Sequence, residues 1–108
     1  MPFDKHLADQ MENTLAGRSD IERKKMFGGY CWMLNGNMLC GVEVGRFMFR
    51  VGKEQEAEAC AKAGAEPVIF GNRKMGGIVW VEEKAARKEG LENWITFAEN
   101  FVGAQPAK

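Results

Sequence analysis

The sequence predicts an α+β domain in which an antiparallel β-sheet packs against helices. Short apolar runs follow one another through residues 21–51, and turn residues rather than helices separate them, as in strands joined by hairpins. Apolar residues recur at helical spacing near both ends of the chain. The predicted order of elements is α-β-β-β-β-α-β-β-α. The 108 residues suffice for a single domain, residues 1–108, with one hydrophobic core.

The first predicted helix covers residues 4–16. Leu7, Met11 and Leu15 recur every four residues and form one apolar stripe, and Gly17 follows as a stop signal. A strand is predicted next over 21–27.

The strongest turn signal is Asn35-Gly36, which lies between two apolar runs. Both central residues of a type I′ turn need a positive φ, and Asn-Gly is the preferred pair, so a hairpin is predicted here. Residues 46–51 alternate between apolar and polar side chains and predict a further strand, with Phe47 and Phe49 pointing inward.

The second half of the chain predicts a helix, two short strands and a last helix. Residues 53–63 are rich in Ala, Glu, Gln and Lys, which favour helix. The predicted strands at 67–70 and 78–81 are joined by a basic loop over 71–77. The apolar positions of the last helix are Leu91, Trp94, Ile95, Ala98, Phe101 and Val102. Residues 103–108 are expected to fray.

The charge balance excludes some classes of protein. Fifteen basic and fifteen acidic side chains cancel, which excludes a highly basic protein that coats DNA.

The uncharged stretch 26–42 contains four glycines and two asparagines and is too short for a membrane span. With no signal-peptide pattern at the start and three cysteines in no CxxC pair, we expect a cytoplasmic protein without membrane contact.

The residues favour neither catalysis nor a cofactor. His6 is the only histidine and Ser19 the only serine, so a nucleophile–base pair has few candidates. The acidic residues cluster in predicted helices, where solvated faces explain them. The cysteine and histidine spacings match no zinc pattern, and no phosphate-binding glycine motif is present. We therefore predict no catalytic residues, no metal and no cofactor.

Two segments share a basic-Met-Gly-Gly pattern. One hypothesis is that both are basic turns that bind an anion or nucleic acid through cations and backbone amides. The alternative, which we favour, is ordinary turn glycines beside solvated cations. The candidate residues are Arg23, Lys24, Lys25, Gly28 and Gly29 in the first segment, and Arg73, Lys74, Gly76 and Gly77 in the second.

Four strand aromatics could stack on RNA bases, but core positions explain them better. They are Trp32, Phe47, Phe49 and Trp80.

The hairpin register predicts that Cys31 lies directly opposite Cys40, if Asn35-Gly36 is a two-residue turn. The other predicted pairs are Leu34–Asn37, Met33–Met38 and Trp32–Leu39. A non-hydrogen-bonded pair with Cα atoms about 4.5 Å apart allows a strained disulfide, so a redox-responsive clip is one hypothesis. Two reduced thiols packed in the core are the alternative that we favour.

Both faces of this hairpin are apolar. One face carries Tyr30, Trp32, Leu34 and Leu39, and the other carries Cys31, Met33, Met38, Cys40 and Val42. Either a helix covers each face or the chain forms a homodimer. We lean toward the homodimer.

The segment Lys25-Met26-Phe27-Gly28-Gly29-Tyr30 resembles the N-terminal domain of the TfoX/Sxy family of bacterial competence regulators. The likeness continues through the Asn35-Gly36 hairpin, 49–51 and 63–67, and it ends in the helix of Trp94. The resemblance implies an α+β domain without known catalytic residues and a role in transcriptional control of DNA uptake. We therefore expect a regulatory module that binds a protein of the transcription machinery. The alternative is a small nucleic-acid- or anion-binding domain.

Overall fold

The computed structural model describes residues 5–17, 19–26, 29–43, 45–62, 64–70 and 72–106. Within these residues the chain forms four helices and six strands. The helices are α1 (Lys5–Thr14), α2 (Lys53–Cys60), α3 (Glu83–Glu89) and α4 (Leu91–Val102). The strands are β1 (Ile21–Met26), β2 (Gly29–Leu34), β3 (Asn37–Glu43), β4 (Arg46–Arg50), β5 (Ala65–Phe70) and β6 (Arg73–Glu82).

All six strands belong to one antiparallel sheet with the order β1-β2-β3-β4-β6-β5. The first four strands form a meander, because each pairs with the next along the chain. After α2 the chain returns to the sheet, and β6 inserts between β4 and β5. The predicted α+β class is confirmed.

The C-terminal part contains two helices, α3 and α4, where one was predicted. Gly90 separates them with a φ of 101°, and its carbonyl accepts a hydrogen bond from the Trp94 N–H (3.1 Å). Its positive φ lies in a region that glycine adopts without strain, so the chain can end one helix and begin another within one residue.

The four helices lie together on one face of the sheet. α1 contacts α3 through a hydrogen bond from Gln10 Nε2 to Glu83 Oε2 (3.0 Å). α2 contacts α4 through a hydrogen bond from Gln55 Nε2 to the Phe97 carbonyl (3.2 Å). α3 and α4 pack directly against each other, so the helices form a single layer.

The core lies between this helix layer and the sheet. The Trp94 ring of α4 stacks on the Phe49 ring of β4, with centroids 5.2 Å apart and an interplanar angle of 16°. The predicted stripe of α1 is confirmed, since Leu7, Met11 and Leu15 are all buried there. None of the described helices is long and apolar enough to cross a bilayer.

Gly76 and Gly77 do not lie in a loop. The predicted loop over 71–77 is wrong, because β6 already begins at Arg73 and the two glycines form an irregular segment within it. Gly77 has a φ of 84°, and its N–H donates to Glu56 Oε1 (2.6 Å). Its carbonyl accepts hydrogen bonds from the N–H groups of Val51 (2.8 Å) and Gly52 (3.0 Å). Backbone bonds to the start of α2 therefore hold the segment in place.

The hairpin register is correct only next to the turn. Asn35 and Gly36 have φ values of 52° and 85°, as a type I′ turn requires, and the pairs Leu34–Asn37 and Met33–Met38 are confirmed. The register then shifts by one residue. Beyond the shift, Cys31 pairs with Gly41 and Trp32 with Cys40, so the predicted Cys31–Cys40 and Trp32–Leu39 pairs are wrong. A bulge sets two residues of one strand against one residue of its partner. Beyond it, the side chains of the bulged strand therefore lie on the face opposite to the one that a regular ladder predicts.

The chain end contacts the β2–β3 hairpin. Asn37, which is nearly fully buried, donates a hydrogen bond from Nδ2 to the Pro106 carbonyl (2.9 Å). Residues 107–108 of the predicted frayed tail lie outside the described residues.

Candidate functional site

The face of the sheet that points away from the helices has no described helix over it. Trp32, Cys40 and Phe49 belong to the core on the helix side. Successive side chains of a strand point to opposite faces, so the residues between these core positions point the other way. We call this the helix-free face, and its central residues are Cys31, Met33, Met38, Gly41, Met48 and Trp80.

One row of paired residues crosses the helix-free face from edge to edge. Each member is the direct cross-strand partner of the next, so one residue comes from each of the six strands. We call it the cross-sheet row, and it reads Lys24, Cys31, Gly41, Met48, Trp80, Glu66. Its four middle members are apolar, and its ends carry a cation and a carboxylate.

Gly41 is buried in the middle of this row, and the side chains of its neighbours fill the space over it. A Cβ atom there would lie 2.9 Å from the Tyr30 carbonyl oxygen, 3.1 Å from Cys31 Sγ and 3.2 Å from Met48 Cε. A side chain at this position would therefore force its neighbours to move. Cys31 and Met48 are 0% and 2% exposed, whereas Met33 and Met38 are half-buried.

A charged contact lies at the β5 side of the face. The Arg46 guanidinium lies over the half-buried Trp80 ring, 3.4 Å from its centroid, and Arg46 Nη1 is 3.9 Å from Glu66 Oε1. Stacking of this kind orients the indole and keeps the cation in contact with water. The helix-free face thus has a buried apolar centre, with half-buried Met33, Met38 and Trp80 around it and a charged contact at its β5 side.

The first basic-Met-Gly-Gly segment lies in and beside edge strand β1. Arg23 points to the helix side, where its Nη1 is 3.3 Å from Glu12 Oε1 and its guanidinium is 4.5 Å from the Tyr30 ring centroid. The same carboxylate oxygen accepts a hydrogen bond from Trp32 Nε1 (3.1 Å). Lys24 points to the helix-free face, opposite Cys31.

The remaining members of the first segment take structural positions or fall outside the description. Lys25 pairs with Tyr30, which packs on the helix-side core, and buried Gly29 pairs with Met26. Gly28 lies outside the described residues.

The second segment lies far from the first. Arg73 and Lys74 pair with Phe70 and Ile69 at the end of the β5–β6 hairpin. β1 and β6 are four strand positions apart, or about 19 Å at the usual strand spacing. The structure therefore does not bring the two basic segments together.

Gly76 and Gly77 instead line an open cleft of about 560 Å³ beside the start of α2. Arg50 and Lys53 line the same cleft, and the Arg50 guanidinium is 5.3 Å from the Phe101 ring centroid. Nothing in the local sequence of these two cations connects them with the glycines of β6, so no sequence pattern points to this cleft.

The two cysteines of the predicted redox pair lie on opposite faces of the sheet. Cys40 Sγ is 3.6 Å from Met11 Sδ of α1, on the helix side. Cys31 lies on the helix-free face beside Gly41 and Met48. Both thiols are buried, and neither is part of a disulfide. The described residues contain no group of three or more His, Cys, Asp or Glu side chains that could hold a metal ion.

Three of the four strand aromatics are core residues, as favoured from the sequence. Trp32, Phe47 and Phe49 are buried against the helices. Trp80 differs, because it lies on the helix-free face under Arg46.

The family resemblance found in the sequence is confirmed by comparison with known proteins. The TfoX N-terminal domain family matches residues 13–101, which include all six strands. No curated protein and no solved structure gives a match.

Proposed function

Because the chain belongs to the TfoX N-terminal domain family, we propose that it is a non-enzymatic protein-interaction module in the control of transcription, of the competence type. It acts by binding a protein of the transcription machinery, and this role requires a cytoplasmic location.

The helix-free face is the observation that carries a binding role. Met33, Met38 and Trp80 are half-buried on a side of the sheet that no described helix covers, and Cys31 and Met48 between them are buried. Apolar patches with a polar rim mark interaction sites in soluble proteins. Methionine side chains are flexible and polarisable, which suits surfaces that adapt to a partner.

Structural contacts of the carboxylates support a role without catalysis. Glu12 contacts Arg23 and Trp32, and Glu56 accepts a hydrogen bond from the Gly77 N–H. A general acid or base must lie within hydrogen-bond distance of a substrate proton. Glu12 and Glu56 instead make hydrogen bonds or ion pairs between elements of the fold.

The distribution of cations supports a protein partner over nucleic acid. The basic segments lie about four strand spacings apart, and Arg23 is paired with Glu12. A phosphate backbone needs several cations along one track, and the apolar helix-free face offers no such track.

Affinity capture with the full chain tests the proposal. The tagged protein is incubated with nuclease-treated extract of the cells that produce it, and each recovered transcription protein is purified and tested for direct binding. We expect an RNA polymerase subunit or a transcription factor to bind directly. Two results contradict the proposal. One is a transcription protein that is recovered from untreated extract but not from nuclease-treated extract, and the other is that no recovered transcription protein binds directly.

A variant pair connects this binding with the fold. Met33→Gln replaces a half-buried side chain of the helix-free face with a polar one of similar size, and it should reduce the capture of the transcription protein. Thr96→Gln, at an exposed position of α4, is the control and should leave capture unchanged.

A further inference from the structure

We propose that the open cleft beside the start of α2 binds a small organic phosphate monoester. Arg50 and Lys53 hold the phosphate group, and the Phe101 ring contacts the organic part. The inference goes beyond the proposed function and does not depend on it, because the cleft uses none of the half-buried side chains of the helix-free face.

A bend in the backbone at Gly52 brings the two cations to the same cleft. Arg50 is the last residue of β4 and Lys53 is the first residue of α2. The chain changes direction between them at Gly52, whose φ is 82°, a conformation that glycine adopts without strain. The last residue of the strand and the first residue of the helix therefore both line the cleft.

Glycines also provide the space in which the large side chains of the cleft lie. A Cβ atom on Gly52 would overlap the Phe101 ring, so the ring packs directly on the backbone there. A Cβ atom on Gly76 would lie 3.2 Å from Lys53 Cε, so the lysine side chain runs close over that glycine. The Arg50 guanidinium is 5.3 Å from the Phe101 ring centroid. The ring, the guanidinium and the lysine stem each contact the wall of the cleft.

The two cations of the cleft lack an anionic partner. Among the described residues, no carboxylate lies within ion-pair distance of Arg50 or Lys53. They differ from single unpaired cations on the surface because they share one cleft and because Arg50 is half-buried. A half-buried cation has lost part of its hydration, which an anionic ligand replaces. The cleft therefore favours an anion.

The number of cations favours a doubly charged group. A phosphate monoester carries a charge of about −1.5 to −2 near neutral pH and has three strong acceptor oxygens, so it can engage both cations at once. Arginine offers a fork of donors to such oxygens, and lysine acts as a point charge. A single carboxylate has only two oxygens and one charge, so it satisfies the pair less well.

Glu54 is the one feature of the cleft that opposes an anion. Its exposed carboxylate also lines the cleft, but it forms an ion pair with neither cation among the described residues. Its charge therefore repels a bound phosphate without neutralising Arg50 or Lys53. This repulsion allows a test in which a substitution improves binding.

The size of the cleft indicates that the ligand carries an organic part. The cleft volume of about 560 Å³ lies within the range of about 300–1,000 Å³ that is usual for small-molecule sites. An inorganic phosphate ion fills only a small part of it. Phe101 offers an apolar contact, and Asn100 and Gln105 offer amide groups that can bind hydroxyl groups of the ligand.

Titration with phenyl phosphate, followed by NMR of the backbone amides, tests the site. We expect the signals of Gly52, Gly76 and Gly77 to shift, and the signal of Gly36 in the hairpin turn to stay unchanged. Inorganic phosphate should shift the same three signals only at higher concentration, because it lacks the contact with Phe101. Benzoate keeps the ring but carries a single charge, so it should bind more weakly than phenyl phosphate.

Substitutions at the cleft test the role of each charge. Arg50→Gln and Lys53→Gln each remove one cation and should raise the dissociation constant of phenyl phosphate by about tenfold. Glu54→Gln removes the repulsion and should lower that constant by about twofold. Lys53 and Glu54 are exposed, so these two variants should keep the fold. Lys84→Gln, at an exposed position of α3, is the control and should bind as the wild type does.

Four results overturn the inference. The first is that phenyl phosphate leaves the signals of the three cleft glycines unchanged. The second is that the Lys53→Gln variant binds phenyl phosphate as tightly as the wild type. The third is that benzoate binds as tightly as phenyl phosphate, and the fourth is that Glu54→Gln weakens binding.

Discussion

Gly77 lies where β6 meets the start of α2, and the backbone there leaves no room for a side chain. Its φ is 84°, and an added Cβ would lie 3.2 Å from backbone atoms of Gly52 and Lys53. We predict that Gly77→Ala lowers the free energy of unfolding by about 2 kcal/mol, because a left-handed backbone strains alanine and the neighbouring backbone cannot retreat. Urea unfolding measures the effect.

Gly76 is the matched control for this prediction. It has no positive φ, and an added Cβ there would approach the flexible end of the Lys53 side chain, with Cε at 3.2 Å. Gly76→Ala should therefore change stability by no more than about 0.5 kcal/mol. An equal loss of stability in the Gly76→Ala and Gly77→Ala variants would contradict the prediction, because the close backbone contact is made only at Gly77.

Cys31 and Cys40 should not form a disulfide in the folded protein. They point to opposite faces of the sheet, so their Sγ atoms cannot meet without unfolding the hairpin. Mass spectrometry of a Cys60→Ala variant under mild oxidant should show both thiols retained. In concentrated urea the same variant should form a Cys31–Cys40 disulfide, which shows that the oxidant can oxidise these thiols once the chain is unfolded. A disulfide in the folded chain would contradict the observed register.

At the scale of elements, the separation of the basic segments limits any binding of polyanions. β1 offers three cations, and Arg73 and Lys74 lie four strands away. One DNA contact can therefore release few counterions. We predict weak binding whose logarithm falls with the logarithm of salt concentration with a slope of about −3 or shallower.

Gel-shift titrations at several salt concentrations check this slope. A slope near −4.5 would mean about five cations in one contact, which is more than β1 supplies and would contradict binding through β1 alone. Replacing Arg73 and Lys74 with alanine should leave binding through β1 unchanged. Absence of binding even at low salt would remove the nucleic-acid alternative altogether.

The β2–β3 hairpin shows which part of an element can be predicted from local sequence. Asn35-Gly36 determines the turn type, and the turn determines the two nearest pairs. The bulge beyond Met33 has no signal in the local sequence. Cys40 turns toward Met11 as a result, and the redox hypothesis built on a regular ladder fails.

α3 and the first half of β6, which was predicted as a loop, differ from the sequence prediction for different reasons. The residues of α3 favour helix and Gly90 ends it, so its composition was a usable signal. Gly76 and Gly77 looked like turn residues because glycine is common in turns. Their actual role depends on Glu56, Val51 and Gly52, which are distant in sequence and therefore invisible to local patterns.

For the whole molecule, the sequence left open whether helices cover both faces of the sheet. Apolar residues on both faces of the β2–β3 hairpin indicated that both faces of the sheet must pack against something. The sequence does not say which elements pack on which face. The structure puts all four helices on one side. That arrangement depends on contacts between elements, such as Gln10 with Glu83, which periodicity does not encode.

The central claim is that the half-buried methionines of the helix-free face, Met33 and Met38, lie where a protein of the transcription machinery binds. Methyl NMR of the methionines tests it most directly, because Met33 and Met38 lie on this face and buried Met11 in the core. In dilute protein, a soluble paramagnetic agent should broaden the Met33 and Met38 signals and spare Met11. Adding the captured transcription protein should shift and protect those two signals and leave Met11 unchanged. Signals of Met33 and Met38 that stay unchanged when the transcription protein binds would contradict the account.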